Sequence, residues 1–150
     1  VSVTGNQVSF DLNGTFLVSK LIDGNYPNFR QVIPSETKEC VDLDREPLLN
    51  AVHRVALLTS DKSRSIKLTF GKNNLEIAAN TPEVGEAHES IPIKYSGPEI
   101  SIAFDPEFFM APLRNLPNDT VQLHLTDEIS PGVMKVKAPF LYVIMPMRMH

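Results

Sequence analysis

Two stretches of helical periodicity, each set among strands of alternating polarity, most constrain what this 150-residue chain can fold into. From Glu46 to Leu58 the apolar residues Leu48, Ala51/Val52, Val55 and Leu58 recur at helical spacing. Asp44 stands before them as an N-cap, and Pro47 falls in the first turn, where its missing N–H is harmless. The opposite face carries Asn50, His53, Arg54 and Leu57. A second helix starts at Asp105-Pro106, a cap followed by the preferred first residue, and aligns Phe109, Leu113 and Leu116. Pro112 lies too deep in it to be neutral and is expected to kink or shorten it.

The remaining apolar residues alternate. Lys38–Leu43, Ile66–Phe70, Leu75–Ala79, Ile100–Phe104, Val121–Leu125 and Met134–Val136 all read as strands. Gly71-Lys72-Asn73-Asn74 turns a hairpin, and the polar, Pro92-interrupted segment from Glu86 to Lys94 suits a sheet edge. Phe140–Ile144 is an unbroken apolar run, read as a closing strand covered on both faces, and Pro146 then takes the chain off the sheet. Residues 35–150 are expected to form one complete domain of order β-α-β-β-β-α-β-β-β, which places the chain in the α+β class. Residues 1–34 hold strands around the Asn13-Gly14 and Asp23-Gly24-Asn25 turns but no helix, and two or three strands cannot bury a core alone. The boundary is expected at Pro34-Ser35-Glu36, with 1–34 the end of a preceding domain; the missing initiator methionine is read as the mark of a fragment.

Composition narrows the function classes. A hydrophobic share of 42% supports a packed core, and no apolar run has the length of a membrane span. The single cysteine, Cys40, cannot form an internal disulfide, which points to a reducing cytoplasm. A net charge of −4 argues against tight static binding to a phosphate backbone. Asp42 and Asp44 imitate a metal-binding pair but have no third ligand nearby, and the four histidines are scattered. No nucleophile elbow or phosphate-binding glycine loop is present, so the chain reads as a non-enzyme without metal or cofactor.

The stretch Tyr142-Val143-Ile144-Met145-Pro146-Met147-Arg148-Met149 resembles the C-terminal signature of the bacterial DNA polymerase III beta subunit family, the sliding clamps. Upstream, Ser19-Lys20-Leu21-Ile22-Asp23-Gly24-Asn25-Tyr26-Pro27-Asn28-Phe29-Arg30-Gln31-Val32-Ile33-Pro34 is similar to that family's segment between its middle and last domains. The resemblance implies a DNA clamp (processivity-factor) fold, with two helices packed on curved antiparallel sheets, preceded by the terminal strands of a second such domain. It implies a homodimeric ring, when full length, that encircles duplex DNA without reading sequence. That ring would tether the replicative polymerase, the clamp loader and repair polymerases through short apolar and aromatic peptides.

Three surfaces follow from the resemblance. The peptide pocket would use Pro27, Gln31, Val32, Asp105, Phe108, Ile129, Pro131, Val143, Ile144, Met145, Pro146, Met147 and Arg148. The DNA-facing wall would carry Asn50, Arg54, Lys62, Arg64 and Arg114, and a ring held by topology needs only weak, mobile phosphate contacts from them. The subunit interface would use Leu57, Leu58, Glu86, Glu89 and Ile91. Two rival readings stay open at this point: a β-rich ligand-binding domain with a deep enclosed pocket, and a free-standing peptide-binding fragment that encircles nothing.

Overall fold

The computed structural model describes residues 1–26, 28–60, 63–82 and 84–148. Its strands are β1 (Ser2–Val3), β2 (Gln7–Leu12), β3 (Thr15–Lys20), β4 (Glu39–Asp44), β5 (Ile66–Gly71), β6 (Asn74–Thr81), β7 (Gly85–Pro92), β8 (Ile100–Phe104), β9 (Thr120–Leu125), β10 (Gly132–Lys135) and β11 (Leu141–Ile144). Helix α1 (Arg45–Ala56) follows β4, and α2 (Pro106–Asn115) follows β8. Among the described residues four strands therefore separate the helices, one more than the expected order. β7 and β8 are distinct strands that pair on opposite edges of one sheet, β7 with β6 and β8 with β5.

That sheet runs β7-β6-β5-β8, and a second runs β11-β10-β9-β4, every pair antiparallel. The chain thus makes the same pass twice. In each pass one strand leads into a helix and three strands follow as a meander, and the leading strand joins the edge of the other pass's sheet. Alternation drives the packing: β5 buries Ile66, Leu68 and Phe70, β6 buries Leu75, Ile77 and Ala79, and β9 buries Val121, Leu123 and Leu125. Against them lie Leu48, Ala51, Val52 and Val55 of α1 and Phe109, Met110 and Leu113 of α2, with Phe104 and Phe109 at 5.6 Å between ring centres. The core begins at Val41.

Capping differs between the helices. The Asp105 carboxylate accepts from the Glu107 amide at 2.8 Å, as the sequence foretold, whereas Asp44 occupies the N-cap without a side-chain hydrogen bond. α2 ends three residues beyond Pro112, whose ring is buried in the core. The closing strand departs from expectation: β11 is an edge strand, and only Ile144 of it is buried. Its other face has no covering layer.

β1, β2 and β3 form a separate sheet that contributes nothing to the core. Its hairpin closes through Asn13 and Gly14 with φ of 51° and 93°, the paired left-handed conformations that the two-residue turn requires. Phe16, Leu17 and Val18 remain more than half exposed. A short 3-10 turn at Phe29–Gln31, capped by the Asn28 side chain, leads toward β4.

Candidate functional site

The end of β11 and the start of α2 enclose a shallow, mainly apolar groove of about 420 Å³. Two local devices build it. The Asp105 cap fixes the first turn of α2 so that Phe108 projects outward, 63% exposed. On the other side the β10–β11 ladder stops at Ile144, and Met145-Pro146-Met147 crosses to the other sheet, where the Met147 amide donates to the Ala103 carbonyl at 2.8 Å. Pro146 has no amide to give to a ladder, so the chain leaves the sheet at that point. The crossing bridges the two sheets and leaves the side chains of Met145 and Met147 partly exposed over the groove. Thioether chains are flexible and polarizable, and they adapt to varied apolar partners.

Of the thirteen pocket residues inferred from sequence, the groove brings together Asp105, Phe108, Val143, Ile144, Met145, Pro146 and Met147. Gln31, Val32, Ile129, Pro131 and Arg148 do not line it, and Pro27 lies outside the described residues. Pro131 stands just before Gly132, which pairs with Ile144, so the loop ahead of β10 adjoins the groove's end. That loop is tied by Asp127, whose carboxylate accepts from the amides of Ser130 at 2.7 Å and Ile129 at 3.1 Å. Ile129 itself is 78% exposed. The structure adds Tyr142 to the lining, its ring parallel to that of Phe140. The sequence carried no signal for it, because the edge position of β11 follows from the sheet order.

The residues inferred to face DNA are mostly engaged. Arg54 holds Glu89 of β7 through two bonds, Nε to Oε1 at 2.6 Å and Nη2 to Oε2 at 3.1 Å. The pairing holds the Glu89 carboxyl below the usual carboxylate range. One residue from each of two surfaces inferred separately, the DNA wall and the subunit interface, thus meet in one ion pair. Arg114 donates to Glu107 at 3.0 Å and lies against the Met110 sulfur at 3.7 Å. Asn50 is exposed on α1, Arg64 has a partner within the chain, and Lys62 lies outside the described residues.

At the proposed subunit interface Leu57 is 69% exposed, while Leu58 is half-buried and its carbonyl accepts from the Thr81 hydroxyl at 2.6 Å. Glu86, Glu89 and Ile91 lie on β7, which is an edge strand as the sequence indicated. Elsewhere, Cys40 Sγ lies 3.6 Å from His124 Nε2, and Thr37 Oγ1 lies 3.3 Å from its Nδ1. Burial pushes the thiol pKa up and the imidazole pKa down, so both groups stay neutral and the thiol is not activated. Among the described residues no three His, Cys, Asp or Glu side chains gather as a metal site.

Comparison with known proteins matches this architecture to one family. Residues 30–148 fit the model for the DNA polymerase III beta subunit, C-terminal domain. The chain is 37% identical over 145 residues to the beta sliding clamp of Chlamydia pneumoniae, covering 97% of this chain and 40% of that protein. It is 32% identical over 151 residues to the beta sliding clamp of Escherichia coli K12, covering 99% of this chain and 41% of that one. Among solved structures it resembles the sliding clamp of Bartonella birtlesii bound to griselimycin, with TM-score 0.85 and 27% identity over 98% of this chain and 40% of that one. A DNA polymerase III beta subunit from Thermotoga maritima superposes with TM-score 0.82 at 26% identity, covering 99% of this chain and 41% of that one. The chain spans about 40% of the length of the relatives it matches. With two like passes of strand and helix around a single core, and a family match over residues 30–148, the chain belongs to the DNA polymerase III beta subunit (sliding clamp) family.

Proposed function

We propose that this chain is part of a ring-shaped, non-catalytic sliding clamp that encircles duplex DNA in the cytoplasm and tethers replication proteins by short peptides. The single observation that carries the reading is the groove of Asp105, Phe108 and Tyr142–Met147, whose apolar floor and methionine rim suit an extended peptide ending in apolar and aromatic residues. Residues 1–34 would belong to a preceding clamp domain, which agrees with a core that begins only at Val41. The ring would close between subunits through β7 and Leu57, whose exposure favours a covering partner. DNA contacts from Arg54 and Arg114 would be exchangeable, since both guanidinium groups already hold a carboxylate.

Burial of one leucine and one phenylalanine side chain contributes about 1.5–3 kcal/mol each, and a shallow groove recovers only part of it. The expected dissociation constant for a capped peptide ending in Leu-Phe is on the order of tens to hundreds of micromolar. Amide chemical shifts during a titration should move at Phe108 and Tyr142–Met147. Met147→Glu should abolish them. Shifts confined to α1, or full binding by the variant, would refute the assignment.

A further inference from the structure

Each pass of the chain leaves a groove at the start of its helix, and the proposed peptide site occupies that of the pass through α2. The second groove, about 520 Å³, lies where β7 ends beside β4. It is built like the first: an N-cap aspartate (Asp44 for Asp105), the third residue of the helix (Pro47 for Phe108), and the end of the meander's last strand with its proline. Even the local sequence repeats, since Ile91-Pro92-Ile93-Lys94 carries the chain off the end of β7 as Met145-Pro146-Met147-Arg148 does after β11.

The grooves differ in two respects that together define an occupant. In the first, the tail bridges to Ala103, two residues before the helix cap. In the second, the tail folds back on its own hairpin: the Ile93 amide donates to the Asn73 carbonyl at 3.2 Å, and the Asn73 amide donates to the Tyr95 carbonyl at 2.9 Å. The residue equivalent to Ala103 is Asp42, and among the described residues no bridge to it is made. The Arg45 amide donates to Asp119 in the register of the β4–β9 pair, so the odd-numbered residues of β4 bond to β9. Cys40 and Asp42 therefore turn their backbone groups to the free edge of the sheet. The second difference is charge. Where the first groove carries Asp105 among apolar groups, the second carries Asp42 and Asp44, with Lys94 also in its lining.

We propose that this second groove binds an extended peptide of alternating apolar and basic residues, which adds a strand to the free edge of β4. Its apolar side chains lie on Pro47 and the 91–93 segment, and its basic side chains reach Asp42 and Asp44. The inference rests on the repeat and on the reading of the first groove as a peptide site, and it concerns a partner of opposite charge character.

The test uses the 150-residue chain and a capped heptapeptide, Leu-Arg-Val-Lys-Leu-Arg-Val, beside a counterpart with Glu at each basic position. The basic peptide should shift amides of Cys40–Asp44 and of 91–94 saturably, and the acidic one should shift none of them. Asp42→Asn with Asp44→Asn removes both charges but keeps size and capping ability, and should weaken binding about fivefold. The proposal is overturned if the shifts gather at Phe108 and Met145–Met147. It is equally overturned if the double variant binds unchanged, if no amides move, or if the variant alters only self-association. Binding of the Leu-Phe peptide is scored on different amides, so failure of that site and failure of this one are separate results.

Discussion

Asp127 shows how one side chain controls part of the surface beside the first groove. Its carboxyl is held below the usual carboxylate range, mainly by the Ser130 side chain, with further help from the Ser130 and Ile129 amides and from Lys38. A carboxylate with a lowered folded-state pKa contributes stability that is present above its unfolded value and is lost as pH falls through the folded value. Asp127→Asn keeps an acceptor oxygen but removes the charge. It should cost under about 1 kcal/mol at neutral pH, because the group is largely solvated. It should also flatten the loss of stability with acid below the ordinary carboxylate range. Urea unfolding at a series of pH values checks this, and an unchanged acid limb would show that the loop's charge is immaterial. Residue-scale inference from sequence worked where a motif dictated geometry, as for the Asp105 cap. It failed where a partner lay far along the chain: nothing near Arg54 in sequence announces Glu89, thirty-five residues away.

Between elements, the first groove depends on how closely β10 approaches the core. Gly132 pairs with Ile144, and a Cβ added there would stand 2.9 Å from the Phe104 ring and 3.6 Å from Leu125. Phe104 is fully buried against Phe109, so it has little room to move. Gly132→Ala should therefore destabilise the fold by about 1–3 kcal/mol through overpacking. Because the strand pairing of β11 is with β10, the same change should weaken binding of the Leu-Phe peptide. A variant within about 0.5 kcal/mol of the parent would show that the ring yields. Both helices and the hairpin turns were legible because their signals are local: apolar spacing, a cap, a left-handed Asn or Asn-Gly pair. The solvent-facing side of β11 was not. An apolar run fits a strand covered on both faces and an edge strand whose exposed side awaits a ligand equally well, and only the sheet order separates them.

At the scale of the molecule, the described residues divide at the point where the core begins. Among the described residues every buried hydrophobic one lies at or beyond Val41, while β1–β3 present Leu12, Phe16, Leu17 and Val18 to solvent. From turn chemistry and the lack of a helix before Pro34, a boundary is expected at Pro34-Ser35-Glu36. The sequence could not reveal that β1–β3 would leave the core untouched, because packing between sheets depends on side chains distant in the chain. If residues 1–34 belong to a preceding unit, their removal should be nearly neutral for the rest. A chain of residues 35–150 keeps the Lys38 amide on the Leu125 carbonyl and the Thr37 contact with His124, so β4 retains its place beside β9. Its melting temperature should lie within about 4 °C of the parent, since a 1 kcal/mol change shifts a domain of this size by roughly that much. The shortened chain should also self-associate less, because an exposed apolar sheet with free edges is a template for pairing. Calorimetry and sedimentation of the two chains decide the matter. A drop of more than about 10 °C would mean that β1–β3 brace the core, and the boundary near Ser35 would have to be abandoned.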